Sequence, residues 1–437
     1  MVYTALAPSP LAPSTADLLA LPESLRAPIE AGRVEAEEAR RLPAELAETL
    51  RTAGAFRLTT PIERGGFEVS LTTLVDVYET FGRVDGPAAW NVWNGNMGFS
   101  AALLAEEAGD EIWGVDGDPI IANSARVAGT ATASGEDLVL SGRWDIVSAI
   151  DIADWVALFG MVMDGDGPRV GPAGPDVRVF FLRRDEVRVL DTWHTHGMRG
   201  TGSNTVVVDQ VAVPERRTVS PFAPSRIDRP LYRIPAFTIA STGSAPIVVG
   251  IAQAAIDEVI ALAPSKRTDS GQVLAERPHA HSRIGAAQTS LDAARALLRS
   301  TATAIDETAE AGEPVTELLR ARMRAAMSHS AAVTRDVLLT CQQLASSTAV
   351  YADTTIERLV RDGNVATQHM ILAATHLDIL GRLLLGLVAP RTDQTMGVPA
   401  SRPSRRRPRM SRWVAARIMC CVATLPSRTS RSMVVSA

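Results

Sequence analysis

The sequence predicts a mainly α-helical protein with a β domain set into its middle: an N-terminal helical domain over residues 1–117, a central antiparallel β domain over 118–226, a C-terminal four-helix bundle over 227–390, and an atypical tail over 391–437. Three observations carry that expectation. Apolar residues recur at helical spacing up to Trp113; the spacing then falls towards two, beginning at the turn cluster 116–119; beyond Pro235 it becomes helical again for four long Ala/Leu-rich stretches.

The elements follow in order. After a Pro- and Ala-rich start, Leu42, Leu46 and Leu50 mark one face of a helix that ends at Gly54 and the Pro61–Gly66 turn. Further helices are expected over 71–81 and 88–104. Short β-like runs cover 138–149, 154–163, 177–182 and 205–213, broken by turns such as Asp164–Pro168. A Pro-rich link over 214–235 leads to bundle helices at 247–262, 281–311, 314–345 and 356–387. From Ser401 to Ala437 there are nine arginines and no acid, so this segment is expected to be disordered or foreign to the fold, as a shifted reading frame would also make it.

Composition narrows the function. With 437 residues, 46% hydrophobic and 21% charged, the chain is long enough for a large core and ordinary for a globular protein. No apolar run reaches the ~20 residues of a spanning helix, and the N-terminus lacks a secretion signal, so no membrane is expected. Three cysteines exclude a disulfide framework and point to the cytoplasm. The net charge of −5 includes the arginine-rich tail, which leaves an acidic body unsuited to nucleic acid. His194 with His196, and His279 with His281, lack companion Cys, Asp or Glu ligands, so no metal is expected. No GxGxxG follows a strand, which argues against a dinucleotide fold.

Chemistry concentrates in three stretches. The first is Thr192–Asn204, whose Gly197, Gly200 and Gly202 permit close backbone approach while Thr201, Ser203 and Asn204 supply short polar groups, a combination suited to wrapping a planar polar ligand. The second is Leu140–Ala149, where period two puts Trp144, Ile146 and Ser148 on one strand face. Taken alone Trp144 is a core residue and Ser148 a strand-end cap; beside Trp193 and the glycine loop they read as an aromatic wall with a hydroxyl. The third is Ile356–Met370, where Asp362, His369 and His376 recur every seven residues and would share one helix face.

The segment Gly197–Ser203, the phrase Leu50–Leu58 followed by Pro61–Gly66, and Arg361-Asp362 with a histidine seven residues after the acid together resemble the acyl-CoA dehydrogenase superfamily, in particular its flavin-dependent two-component monooxygenases. The resemblance spans roughly residues 40–388 and implies the superfamily's fold and homotetramer. It also implies reduced FMN, delivered by a separate reductase, which forms a C4a-hydroperoxide with O2 to oxidise a small organic substrate. Ser148 would meet the flavin edge and His369 would act as base or orient the peroxide, the two forming the catalytic set. Asn123, Ser124, Trp144, Ser148, Trp193, Thr201, Ser203 and Arg267 would hold the cofactor, with Arg267 at its phosphate. Trp90, Asn94 and Asn96 would line the substrate side, Asn94 and Asn96 standing where some oxygenases carry a histidine.

Two departures decide between branches. The dehydrogenases place a base Glu at one of two positions, which here hold Met370 and Ala240, and neither side chain accepts a proton. The adenylate-end Phe-Gly and Phe-Gln pairs are replaced by Leu274–Gly285, which favours FMN, with FAD second. The alternatives are an acyl-CoA dehydrogenase or oxidase with a displaced base, and a non-catalytic flavin-binding member.

Overall fold

A computed structural model describes residues 13–114, 118–171, 174–267 and 271–387; the expected tail at 391–437 lies outside the described residues. Six helices come first: α1 (Thr15–Ser24), α2 (Arg26–Ala39), α3 (Ala44–Thr52), α4 (Leu71–Val84), α5 (Gly86–Gly95) and α6 (Glu106–Trp113). Capping residues start the two that matter most. Ser70 accepts the Thr73 N–H ahead of α4, and Asp85 accepts the Ala88 N–H ahead of α5. The expected helix 88–104 stops at Gly95, because the Asn96 side chain takes the Leu58 N–H and donates to the Ala55 and Val92 carbonyls. A short 3-10 turn, Gly98–Ala102, follows.

The central sheet is formed by β1 (Ile121–Ser134), β2 (Asp137–Val147), β3 (Trp155–Asp164), β4 (Val177–Arg183), β5 (Arg188–Leu190), β6 (Asn204–Pro214) and β7 (Thr218–Val219), with the two residues Gly167–Pro168 pairing back onto the end of β3. Its order is β7-β4-β3-β1-β2-β6-β5. The expectation of an antiparallel sheet needs correction. β1 and β3 pair in parallel, from Ile121 opposite Trp155 to Thr132 opposite Met163, so the sheet is mixed. The reason lies in the connection: β2 leaves β1 by a tight hairpin at Ser134–Asp137, and residues 148–154 then cross to the other side of β1, so β3 starts level with it.

After two short helices, α7 (Pro230–Arg233) and α8 (Ala236–Ser241), come α9 (Ser244–Leu262), α10 (Pro278–Glu310), α11 (Glu317–Ala345), α12 (Thr355–Ala366) and α13 (Thr375–Leu384). Contrary to the composition reading, Ala236–Leu262 is long and apolar enough to cross a membrane by those criteria alone, and most of it is buried against the other helices. The expected fourth bundle helix, 356–387, is broken. α12 ends at Ala366, and His369, with φ −61° and ψ 138°, caps a turn at Met370–Leu372 by accepting the Ile371 N–H at Nδ1. Asp362, His369 and His376 therefore do not share a face: each belongs to a different local element.

Candidate active site

A cavity of about 710 Å³ opens where α5, the sheet, the 193–203 loop, α8 and the segment after α12 meet. Each wall has a local cause. α5 is tied to the glycine loop by Asn91 Nδ2, which donates to the Gly200 carbonyl (3.1 Å), and to α8 by Trp93 Nε1, which donates to the Ala240 carbonyl (2.8 Å). Asn123 on β1 donates to the Asn94 carbonyl (3.0 Å) and joins sheet to helix. Gly197 is obligatory at the loop's seat on α12, since a Cβ there would lie 2.3 Å from the Arg361 carbonyl oxygen.

The end of β2 is strained where it meets the cavity. Ile146 (φ 62°) and Ala149 (φ 64°) both take left-handed backbone, and pairing with β6 slips between Trp144 and Val147. An isoleucine in that region costs of order 1–3 kcal/mol. The irregularity turns Ser148 inward, 4% exposed, and leaves Ile146 57% exposed at the cavity wall.

Hydroxyls line one side. Ser148 Oγ lies 2.8 Å from Ser203 Oγ, which lies 2.7 Å from Thr201 Oγ1, which donates to the Met198 carbonyl at 2.8 Å. Met198 is itself left-handed (φ 52°), and its N–H donates to Asp362 Oδ1 at 2.5 Å. Asp362 is 1% exposed and stands behind the loop, outside the cavity. Burial raises its carboxyl to about 7, against the opposing pull of Arg358 and of the Met198 N–H.

His369 packs against the Trp90–Trp93 pair, with ring centroids 5.4 and 5.5 Å away and planes nearly perpendicular. This enclosure disfavours the imidazolium and pushes the group down to about 4, so the ring is neutral near pH 7. Because Nδ1 accepts the Ile371 N–H (3.4 Å), the ring hydrogen belongs on Nε2. His376 lies elsewhere, on α13, buried outside the cavity wall.

Of the residues expected from sequence, Trp90, Asn94, Asn96, Asn123, Ser124, Ser148, Trp193, Thr201, Ser203 and His369 line this one cavity. Two do not. Trp144 is fully buried within the sheet, where its ring covers Gly129 and Gly142 and its Nε1 donates to the Arg126 and Phe159 carbonyls (3.1 and 2.9 Å). The β1–β3 register slips between Ser124 and Gly129, and the indole supplies the donor these carbonyls need there; it is a wedge, not a wall. The backbone break at Ile146 is why counting by twos put Trp144 on the cavity side with Ile146 and Ser148, which do line it. Arg267 is exposed outside the cavity, bridged to Val273, its Nη1 donating to the Gly271 carbonyl. Asn96 is at the wall, but its amide is spent on backbone. Phe159, Phe237 and Ile371 were not singled out from sequence; β3 is a continuous apolar run, so no alternation marks Phe159, and the other two sit on short elements without a period.

The profile of the family described as acyl-CoA dehydrogenase, C-terminal domain, matches residues 242–374. Indole-3-acetate monooxygenase of Pseudomonas putida is 28% identical over 353 residues, covering 80% of this chain and 89% of that protein. The oxygenase subunit HsaA of a flavin-dependent monooxygenase from Rhodococcus jostii is 29% identical over 347 residues, covering 77% and 89%. Among solved structures, XiaF from Streptomyces sp., in complex with FADH2 and glycerol, superposes with a TM-score of 0.80 at 26% identity over 86% of this chain and 96% of that one. The chain thus carries an acyl-CoA dehydrogenase C-terminal domain and resembles flavin-dependent monooxygenase oxygenase subunits along most of its length. The polar groups at the cavity fit an isoalloxazine: short hydroxyls and the Asn123 amide stand beside Trp193 and Phe159, and Ser148 keeps a lone pair free for a ligand. Ala240 and Met370, where a dehydrogenase would carry its base, both line the cavity.

Proposed function

We propose that this protein is the oxygenase component of a two-component system, taking reduced flavin from a separate reductase and placing one atom of O2 into a small aromatic substrate while the other leaves as water. The observation that carries this is the cavity's acid–base inventory. Among the described residues lining it, Asp145 is the one carboxylate, and it is engaged by Arg143 and Thr205; Ala240 and Met370 cannot accept an α-proton, and a neutral histidine stands against a pair of tryptophans instead.

Bound flavin would supply two electrons and the activation of oxygen. The chain's own tasks are then positional. Ser148 and the 193–203 loop hold the ring edge, the Trp90–Trp93 pair and Phe237 keep water from it, and His369 presents Nε2–H to an oxygen of the substrate or oxidant. Acting as base would require His369 to give up the Ile371 contact, so orientation is the role the tautomer favours. The aromatic walls and the relatives' aromatic substrates support that substrate class. Lack of the adenylate-end aromatic pairs supports FMN; the FADH2 in XiaF keeps FAD as second choice. The exposed Leu377, Leu384 and Leu385 on and just beyond α13 support a homotetramer, and cysteine usage a cytoplasmic one.

The test is a product assay under 18O2 with a flavin reductase, FMN or FAD, and indole or phenol substrates. One 18O atom per product molecule is expected. Anaerobic bleaching of bound oxidised flavin by an acyl-CoA would overturn the reading in favour of a dehydrogenase.

A further inference from the structure

The hydroxyls at the cavity wall have a direction. The Met198 carbonyl has no hydrogen to give, so the single hydrogen of Thr201 Oγ1 points to it across 2.8 Å. Thr201 can then only accept from Ser203, 2.7 Å away, and Ser203, its hydrogen spent, can only accept from Ser148 across 2.8 Å. Ser148 has one hydrogen, and it is used on Ser203. Towards the cavity it therefore offers lone pairs alone.

The fixed end of this relay does not rotate. Met198 is held in left-handed backbone with its N–H on Asp362 Oδ1 at 2.5 Å, and its carbonyl also receives Trp193 Nε1 at 3.0 Å. All three hydroxyls are at least 96% buried, so no bulk water reorients them.

An acceptor-only serine distinguishes the redox states of a flavin. The central ring nitrogen at the reactive edge carries N–H when the flavin is reduced and a bare lone pair when it is oxidised. We propose that Thr201, acting through Ser203, is a specificity-determining residue that locks Ser148 as a hydrogen-bond acceptor and so makes the site select reduced over oxidised flavin. This rests on the flavin reading above. To satisfy an oxidised ring either Ser148 turns away from Ser203 or the whole relay reverses and gives up the Thr201–Met198 hydrogen bond; the one neutral hydrogen bond lost either way corresponds to a preference of about 3- to 10-fold.

The test is the ratio of dissociation constants for oxidised and reduced FMN, measured anaerobically by fluorescence titration of wild type, Thr201→Val, Thr201→Ser and Ser203→Ala. Thr201→Val keeps the shape and removes the hydrogen, so Ser203 and Ser148 become free to turn. Its ratio should fall about 3- to 10-fold, mainly through tighter binding of oxidised FMN, and Ser203→Ala should behave alike. Thr201→Ser should restore the wild-type ratio. A tenfold fall equals a shift of about 30 mV in the two-electron potential of bound flavin, an independent readout. Unchanged ratios in both Thr201→Val and Ser203→Ala, with flavin still bound, would overturn the relay and leave the flavin reading standing. Failure of wild type to bind either form would overturn both.

Discussion

Replacing Asp362 by Asn should make stability less dependent on pH, in a direction the structure dictates. The Asp362 carboxyl is 1% exposed; Oδ1 accepts the Met198 N–H, Oδ2 has no hydrogen-bond partner, and the Arg358 guanidinium stands 3.6 Å away. Burial dominates and raises the group from 3.8 to about 7. In the fold it thus stays protonated up to near neutrality, whereas in the unfolded chain it ionises above about 3.8. The stability contribution is fully present below that lower value, is lost as pH rises towards 7, and changes no further above it. Three pH units at 1.36 kcal/mol each give a loss on the order of 4 kcal/mol over the full window, and about 2–3 kcal/mol between pH 5 and 7. Asparagine keeps the acceptor for Met198 and carries no charge. Thermal unfolding of both proteins by circular dichroism at pH 5, 6, 7 and 8, at one ionic strength, should therefore show Asp362→Asn gaining on wild type by several degrees as pH rises, with the gap levelling off above 7. A gap that stays constant from pH 5 to 8 would mean that Asp362 is ionised throughout, its charge balanced by Arg358, and would refute the reasoning.

Four further outcomes follow from the geometry. Trp144→Phe removes the donor shared by the Arg126 and Phe159 carbonyls and should cost about 2–4 kcal/mol of stability with flavin affinity preserved; lost flavin binding at unchanged melting temperature would put the indole back at the cofactor. Gly197→Ala forces a Cβ against the Arg361 carbonyl, so destabilisation of about 1–3 kcal/mol and weaker flavin binding should appear together in melting and titration experiments. His369→Ala should leave folding and flavin binding nearly intact and cut product formed per O2 consumed, a loss of ~10²–10⁴ being the scale for such groups. Because burial holds His369 neutral above about 4, wild-type coupling should show no break assignable to it between pH 5.5 and 8; a break there that vanishes in His369→Ala would mark it as a titrating base.

Much of this was legible before any coordinates. Periodicity located the helical start, the β run and the helical end, because apolar spacing is a property of consecutive residues and of which face each element buries. That the glycine loop and His369 belong near one site was legible in their residue types, although the seven-residue spacing assigned to His369 did not hold. Tertiary structure decided what depended on neighbours remote in sequence. The parallel β1–β3 pairing depends on where a seven-residue crossover lands. Trp144 became a wedge because a register slip left two carbonyls in need of a donor, and Ile146 parted from it because the backbone turned left-handed between pairing partners. The fourth bundle helix broke because one imidazole took an N–H that the helix would have used. The hydrogen-bond direction from Ser148 to Met198 lay furthest from the sequence. It spans 55 residues between its first two members and exists only once the fold has brought them within 2.8 Å.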